Sequence, residues 1–531
     1  MIAGHDTKEH LSFGQHFAEQ FWQGDLYPRW ILNMNFGLGS ATFFVYPPFP
    51  SYVYALLLPV AGIAHLNAFC LGEYLCLLTS GLCAFLWMTT IASRRISLIV
   101  AAMYMLLPYH LTVDFYRRDA LSECWALAWM PLVLFFTTQA VRKKRYAVVG
   151  LALSYALLIA SHLISVLILS ALPLLLAATI AERGRKARAL FAVIGGLALG
   201  VAISAIYLVP AFANAKYFPV SMLDIPIREN LLDLGWGLMR GHSEKAGFVQ
   251  AVSLATIDTV MFIAFCGFMT LKNGPQNRRG QTLLWLAVCP IPFFLMSGPS
   301  EWVWKTFPPL ANAVQFPWRF DVVLCVAALP LAAFLLTDLM QLPMRSRVGA
   351  LVIVLLFTVT WLGGYADSVG RLTRDERDLP SAGSKVAVYD GWFDAWTPLG
   401  TDQPSAFQAS KGPRARYLSG QGTVAVLLWK ARHIEVQTDC DPCGPLMINQ
   451  FDYPKWEARL APEGKPLPVG AALPQGLLEV QVPPGRQRIL FEIPRGLDEQ
   501  IGNWLSALGI LVCGVLAASG LVRGRARSHS R

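Results

Sequence analysis

Apolar runs long enough to cross a lipid bilayer recur along most of this chain. A helix needs about 20 mostly apolar residues to cross ~30 Å of hydrocarbon. Only 15% of the 531 residues are charged, well below the roughly one quarter usual in soluble domains. We therefore expect a polytopic α-helical membrane protein with about 11 transmembrane helices. The predicted spans lie near residues 68–92, 96–112, 121–141, 146–160, 161–181, 189–212, 251–271, 281–297, 320–340, 348–365 and 503–522.

Two apolar stretches allow more than one number of transmembrane helices. Residues 146–181 form one run that is interrupted only near Ser161 and His162, so this run predicts either two short spans or one long tilted helix. Residues 47–64 are also apolar but follow a proline-rich start, Tyr46-Pro47-Pro48. Counting 47–64 as a span would invert the charge pattern of every later loop. We predict a helix that lies along the membrane surface instead.

Basic residues gather in alternate connections between the spans. These connections hold 19 of the 44 Lys and Arg residues and one acid, Glu182. Cytoplasmic loops carry such an excess, so the pattern places the N-terminal segment and residues 113–120, 213–250, 298–319 and 366–502 outside. The net charge of +10 comes from these loops, and we expect no nucleic-acid partner. The basic residues are Arg94, Arg95, Arg142, Lys143, Lys144, Arg145, Arg183, Arg185, Lys186, Arg188, Lys272, Arg278, Arg279, Arg345, Arg347, Arg523, Arg525, Arg527 and Arg531.

Residues 366–502 differ in pattern from the rest of the chain. Short β-rich runs occur at 423–429, 433–438 and 446–451. The runs 477–482 and 488–493 flank Pro483-Pro484-Gly485, a pattern that predicts a hairpin. We expect a β-sandwich of about 130 residues outside the membrane. The predicted division is a first outer loop with membrane-surface helices (1–67), a transmembrane module (68–365), the β-rich domain (366–502), and a last span with a basic tail (503–531).

Cys440 and Cys443 are the only cysteines in the predicted β-rich domain. A structural zinc site would need two further ligands at suitable spacing, and none is close. A short-loop disulfide formed in an oxidising compartment is the favoured interpretation, with free thiols as the alternative. The other eight cysteines lie in or beside spans and are expected to be small core residues.

Asp6 and His10 are the first candidate catalytic residues along the chain. Residues 4–18 have a helical pattern, and positions four apart share one helix face. A carboxylate beside an imidazole can take a proton from an incoming hydroxyl. The alternative is an amphipathic surface helix with ordinary polar residues.

A second pair of acids, Asp119 and Glu123, is also four residues apart, at the start of a span. Acids near a helix N-terminus are favoured by the helix dipole, so simple capping is one interpretation. Capping does not account for Arg117 and Arg118 on the predicted outer side. The planar guanidinium suits phosphate, which predicts a lipid-phosphate contact, with headgroup anchoring as the alternative.

A third polar stretch, 312–321, enters a span from the outer side and contains Gln315 and Arg319. Trp318 in this stretch is consistent with an anchor at the membrane interface. His162 also falls at a predicted outer helix end. For His162 a structural role is the first interpretation and substrate binding the second.

Several short motifs together resemble the GT-C glycosyltransferases, polytopic enzymes that take sugars from polyprenyl-phosphate carriers. The closest similarity is to bacterial membrane proteins labelled "6-pyruvoyl-tetrahydropterin synthase-related". The early motifs are Gly4-His5-Asp6 with His10, Tyr46-Pro47-Pro48, and segments 24–30 (GDLYPRW) and 35–39 (NFGLG). The later ones are segments 116–123 (YRRDALSE), 315–320 (QFPWRF) and 451–456 (FDYPKW).

The resemblance implies roles for individual residues. Asp6, aided by His10, matches the acid of the first outer loop, and Asp119 or Glu123 matches the second acid. Arg117, Arg118 and Arg319 would contact the donor phosphate. Further substrate contacts would come from Arg29, Tyr46, His162 and Gln315. GT-C proteins begin with a span before the first outer loop, so we expect a further span upstream of residue 1.

We therefore predict a glycosyltransferase of the cytoplasmic (inner) membrane of a cell. It would move a sugar from a polyprenyl-phosphate donor in the membrane lipid to a glycan, lipid or protein acceptor on the outer side. A divalent metal is compatible with the carboxylates, since hard cations favour oxygen ligands. The alternatives are a transporter or flippase for lipid-linked sugars, with Asp258 as its intramembrane acid, and a non-catalytic envelope-assembly protein.

Overall fold

The chain consists of a large helical part and a β domain. A computed structural model describes residues 4–62, 65–144, 146–218, 226–232, 244–339, 343–372, 397–398 and 400–528. Besides short 3₁₀ turns, the α-helices are Thr7–Trp22, Met34–Gly37, Phe49–Leu57, His65–Met88, Arg94–Leu106, Leu121–Val141, Ala147–Ser161, Leu163–Leu169, Ala171–Ile180, Lys186–Ile203, Ala205–Asn214, Glu244–Asn273, Arg279–Ala287, Pro290–Met296, Glu301–Thr306, Pro308–Val314, Asp321–Leu339, Met344–Leu372, Gln403–Ser410 and Leu497–Ser528. A π-helical segment, Pro108–Arg118, continues the fifth of these.

Within the described ranges, ten helical segments are long and apolar enough to cross a membrane. Their length and composition agree with the predicted multi-pass helical membrane protein. Each segment corresponds to one predicted span. The ten are His65–Met88, Arg94–Arg118, Leu121–Val141, Leu163–Ile180, Arg183–Ile203, Gly247–Asn273, Gln276–Met296, Pro317–Leu339, Arg347–Ala366 and Leu497–Ser519.

The eleventh predicted span is the helix Ala147–Ser161, which is shorter, at 15 residues. It ends where His162 takes an extended backbone, with φ −160° and ψ 106°. The chain then turns back, because Ile180 lies beside Val141 at the opposite end of the bundle. The interpretation of 146–181 as one long tilted helix is therefore wrong, and the run makes two passes.

The two ends of the helical bundle differ in charge. At one end, the Arg142 guanidinium donates to the carbonyl of Thr90 at 2.8 Å, and Arg278 pairs with Asp338 at 2.6 Å. We call this the basic end, and we call the opposite end, which contains His162, the cavity end. The basic end is the one that the charge pattern predicts to be cytoplasmic.

The apolar run 47–64 forms the nine-residue helix Phe49–Leu57, which is not among the ten candidate spans. Nine residues cover about 14 Å, too short to cross the hydrocarbon. The helix packs beside Thr7–Trp22, where the Tyr54 ring lies against Gly14. The absence of a span between residues 47 and 62 agrees with the predicted surface helix.

The β domain is a sandwich of two antiparallel sheets. The strands are β1 (Ala415–Tyr417), β2 (Gly420–Lys430), β3 (His433–Cys443), β4 (Pro445–Phe451), β5 (Glu457–Ala461), β6 (Pro466–Leu467), β7 (Val469–Ala472), β8 (Leu477–Gln481) and β9 (Gly485–Glu492). One sheet has the strand order β1-β4-β8-β7 and the other β2-β3-β9-β5-β6. A disulfide joins Cys440 to Cys443 at the end of β3.

The predicted hairpin around Pro483-Pro484-Gly485 is wrong. Strand β8 pairs with β4 and β7, whereas β9 pairs with β3 and β5 in the other sheet. Proline has no backbone N–H for a β-ladder, so Pro483 and Pro484 cannot extend the pairing of β8. The segment instead takes the chain from one sheet to the other.

The β domain and the first loop share one hydrophobic core. Trp30 and Phe44 are buried together with Tyr453 and Trp456. The Trp30 indole donates to the side-chain oxygen of Gln450 at 2.8 Å. This hydrophobic core therefore crosses the predicted boundary between residues 1–67 and the β domain. Residues 373–396 of the predicted domain lie outside the described residues.

Candidate functional site

A cavity of about 740 Å³ lies at the cavity end of the bundle. Eight of the eleven predicted catalytic and binding residues line it, although they come from segments far apart in the chain. Its wall also has an apolar part that includes Leu163, Ile164 and Phe248. The eight predicted residues are Asp6, His10, Tyr46, Arg118, Glu123, His162, Gln315 and Arg319.

Asp6 is held at the cavity wall by the backbone. Its N–H donates to the carbonyl of Arg118 at 2.7 Å, and the N–H of His5 donates to the carbonyl of Arg117 at 3.0 Å. Asp6 immediately precedes the helix Thr7–Trp22. Its carboxylate is 37% exposed and lies 3.9 Å from the Nη2 atom of Arg118. The acid is therefore accessible from the cavity and close to a cation.

His10 lies one helical turn after Asp6, and its backbone N–H donates to the Asp6 carbonyl at 3.0 Å. Its ring is buried and lies beside Tyr46, with ring centroids 6.3 Å apart. Burial lowers the pKa of His10 from 6.5 to about 4, although the nearby Asp6 carboxylate acts in the opposite direction. The imidazole is therefore neutral near pH 7 and able to accept a proton.

Arg118 lies between two buried carboxylates. Its Nη1 donates to Asp114 Oδ1 at 2.7 Å and to Glu123 Oε2 at 2.8 Å. The other oxygen of Glu123 accepts a hydrogen bond from the Tyr109 hydroxyl at 2.8 Å. With both oxygens occupied, Glu123 is better suited to holding cations in place than to accepting a proton. This arrangement favours a positioning role for Glu123 over the predicted catalytic one.

Arg319 approaches the same carboxylate from the third polar stretch. Its Nε lies 3.5 Å from Glu123 Oε2, and its Nη1 donates to the side-chain oxygen of Gln315 at 2.7 Å. Gln315 has a positive φ of +65°, which is uncommon outside glycine. In the described chain, neither Arg118 Nη2 nor Arg319 Nη2 donates to a protein acceptor. Both arginines therefore have hydrogen-bond donors left for a ligand.

Tyr46 and His162 complete the polar lining. The Tyr46 hydroxyl is 2.9 Å from the Ser122 hydroxyl, and burial raises the pKa of Tyr46, which keeps it neutral. His162 Nδ1 is 2.8 Å from the Ser165 hydroxyl and also caps the helix Leu163–Leu169. His162 thus combines the structural role with a position on the cavity wall.

Asp119, named with Glu123 as a candidate catalytic acid, does not line the cavity. Asp119 has a left-handed backbone, with φ +55°, at the end of the π-helical segment. Its side chain is buried away from the cavity, where the Thr7 hydroxyl donates to it at 2.5 Å. Burial and the nearby Glu73 carboxyl raise the pKa of Asp119 well above its ordinary value. The left-handed residue Asp119 ends one helical segment before the helix that contains Glu123 begins, so the two acids point in different directions.

Arg29 and Arg117 also lie apart from the cavity. Arg29 is 3% exposed; its Nη2 donates to the Ile206 carbonyl at 2.6 Å, and its Nε lies 3.3 Å from Glu499. Glu499 in turn accepts two hydrogen bonds from Arg432 of the β domain. Arg29 thus connects the first loop to the last helix. The Arg117 guanidinium donates to the Gly247 carbonyl at 3.3 Å.

Sequence reasoning missed several polar residues of this region, among them Glu9, Tyr109, Asp114, Ser122 and Asn230. Glu9 and Ser122 line the cavity, and Tyr109 and Asp114 hold the ion pairs behind its wall. The i, i+4 spacing of Asp114 and Arg118 was a signal that could have identified that pair. Nothing local pointed to Tyr109 or Ser122, whose partners lie in other segments.

Two other features bear on the predicted chemistry. Among the described residues, no three His, Cys, Asp or Glu side chains are grouped in a way that could hold a metal ion. Asp258 does not line the cavity, and its carboxylate accepts a hydrogen bond from the Thr360 hydroxyl at 3.0 Å.

No protein-family model matches the chain, and no curated protein matches it at a significant level.

Proposed function

We propose that this protein is a GT-C-type glycosyltransferase, which moves a sugar from a polyprenyl-phosphate-linked donor to an acceptor hydroxyl on the outer side of the cytoplasmic membrane. One observation carries the proposal. An accessible carboxylate, Asp6, and two arginines with unused Nη2 donors, Arg118 and Arg319, line the same cavity at one end of a membrane-type bundle. A base beside a phosphate-binding pair is what this reaction requires.

In the proposed reaction, Asp6 takes the proton of the acceptor hydroxyl as its oxygen attacks the anomeric carbon of the donor sugar. A new glycosidic C–O bond forms, and the bond from the anomeric carbon to the phosphate oxygen breaks. The bonding electrons remain on the departing polyprenyl phosphate. Arg118 and Arg319 would stabilise the charge that develops on this phosphate, and neutral His10 would be a second proton acceptor.

The charge balance of the cluster limits how much negative charge the cavity would hold. Asp114 and Glu123 already neutralise Arg118 and Arg319. The cluster therefore has little excess positive charge, which suits a donor with a single phosphate. This phosphate would accept hydrogen bonds from the Nη2 atoms of Arg118 and Arg319. The apolar wall at Leu163, Ile164 and Phe248 would take the first isoprene units of the lipid.

We propose that the β domain helps to bind the acceptor. It shares a core with Trp30 and Phe44, and Phe44 is only two residues before Tyr46 of the cavity wall. An acceptor bound by the β domain would therefore be held by the same loop that lines the cavity. This remains the proposed role of the domain.

The test is an assay of the reconstituted full-length chain with a radiolabelled polyprenyl-phosphate sugar. Asp6→Asn should reduce turnover by roughly 100- to 10,000-fold, the usual contribution of a general base, with donor binding retained. Arg319→Gln should instead weaken donor binding. Asp439→Asn, which removes an exposed carboxylate of β3, is the matched control and should keep full activity.

Two results would overturn the proposal at different levels. If Asp6→Asn transfers sugar at the wild-type rate, Asp6 is not the base. If the wild-type protein binds the donor but forms no glycosidic product with any acceptor hydroxyl, the protein is not a transferase, and a transporter of lipid-linked sugars becomes the better hypothesis.

A further inference from the structure

A second, smaller cavity lies at the basic end of the bundle, on the opposite side from the candidate active site. Its volume is about 150 Å³, the space of about five water molecules at ~30 Å³ each. Side chains from several membrane-type helices converge on it, between the ends of His65–Met88 and Leu121–Val141. The polar and aromatic members of its lining are Trp87, Thr138, Arg142, Gln281 and Trp285.

The cavity offers mainly hydrogen-bond donors. Trp87 and Trp285 are only 2% and 1% exposed, yet neither indole N–H has a protein acceptor in the described part of the chain. The Gln281 amide likewise has none there. The Thr138 hydroxyl already donates to the Leu134 carbonyl. No described Asp or Glu lines the cavity, so its chemistry suits an anion.

Arg142 supplies the positive charge. Its Nη2 donates to the Thr90 carbonyl at 2.8 Å, which fixes the guanidinium, but it forms no ion pair with a described carboxylate. The neighbouring connections are basic. Their one acid, Glu182, is already paired with Arg185 at 2.8 Å. Arg142 is exposed and lies beside the indoles of two buried tryptophans, Trp87 and Trp285. A guanidinium without a described counter-ion, next to such N–H donors, favours phosphate or a phosphodiester.

We propose that this cavity binds a phosphate group, either the headgroup phosphate of an anionic membrane phospholipid or free inorganic phosphate. The bound anion would accept hydrogen bonds from Arg142 and from the two indole N–H groups. Because the lining residues come from different helices, the anion would connect the ends of these helices and stabilise the bundle. This site is independent of the proposed glycosyl transfer.

The experiment uses the full-length protein in phosphatidylcholine nanodiscs, with and without phosphatidylglycerol, and in phosphatidylcholine nanodiscs with added inorganic phosphate. The readouts are the temperature of thermal unfolding and the number of bound lipids by native mass spectrometry. Phosphatidylglycerol should raise the unfolding temperature if a lipid fills the site. Protection by inorganic phosphate alone would identify free phosphate as the ligand.

Two variants and a matched control decide whether the cavity is responsible. Arg142→Gln should weaken binding of the anion by about tenfold or more, since one charge-assisted hydrogen bond is lost, and Gln281→Leu should weaken it less. Arg183→Gln removes an exposed cation near the same end and should bind as the wild type does. An equal loss in Arg183→Gln, or no protection by either anion, would overturn the proposal.

Discussion

Asp6 is joined to Arg118 twice, once through the backbone and once through the side chain. The N–H of Asp6 donates to the Arg118 carbonyl at 2.7 Å, and its carboxylate lies 3.9 Å from the guanidinium. The proposed base and the proposed phosphate ligand thus belong to one rigid unit, although 112 positions separate them in the chain. Any change that moves the N-terminal segment should disturb both functions together.

Gly4→Ala tests this connection. A Cβ at residue 4 would lie 2.6 Å from the Asp119 Cβ and 2.7 Å from the Arg118 carbonyl carbon, so the segment must shift. Such overpacking costs roughly 1–3 kcal/mol, and we expect donor binding and turnover both to fall by about tenfold or more. Gly184→Ala, where the added Cβ meets nothing within 4 Å, is the control. Unchanged binding and turnover in Gly4→Ala would show that the segment tolerates displacement.

Glu123→Gln should mainly affect stability. The substitution keeps the shape but removes the negative charge shared by Arg118 and Arg319. Breaking a buried ion pair usually costs about 3–5 kcal/mol, so the unfolding temperature in detergent should drop markedly. Glu457→Gln, which breaks the exposed pair with Arg459, should cost less than about 1 kcal/mol. A variant of Glu123 that stays as stable as the wild type but loses turnover would point to direct catalysis.

His10 should make the protein less stable as the pH falls. Its pKa is lowered by burial from 6.5 to about 4, so the unfolded chain binds this proton more readily than the folded one. The related stability is complete above about pH 6.5 and is lost as the pH falls towards 4, by up to about 3 kcal/mol. His10→Gln should flatten this part of the stability curve between pH 7 and pH 5. An identical pH dependence in the variant would mean that other groups cause it.

The two ends of the bundle should face opposite sides of the membrane. A cysteine placed at Lys144, exposed at the basic end, should be protected from a membrane-impermeant thiol reagent in intact cells. A cysteine placed at Glu463, exposed in the β domain, should be labelled. The unlabelled background is the wild-type chain, whose free cysteines are mostly buried. Labelling of the Lys144 position from outside would reverse the topology predicted from the charge pattern.

Much of the architecture could be predicted because it depends on local patterns. The apolar runs correspond to the ten candidate spans and the shorter helix Ala147–Ser161, and strands were expected where β2, β3 and β4 occur. The wrong predictions concern features that local sequence patterns do not determine. The hairpin at Pro483 and Pro484 fails because strand pairing across a sandwich depends on the other sheet. Asp119 and Glu123 point in different directions because one left-handed residue ends the helical spacing.

The sequence by itself determined which segments enter the membrane and which end of the bundle is basic, since hydrophobic length and charge act residue by residue. Only the tertiary structure decided which polar groups meet. It brought Asp6, Arg118, Glu123 and Arg319 together, and it turned Asp119 away. Such contacts depend on how distant helices pack. A buried charge must be paired with a charged or polar group that the fold brings close to it. For this reason the sequence and the resemblance predicted eight of the residues that line the cavity but not their partners.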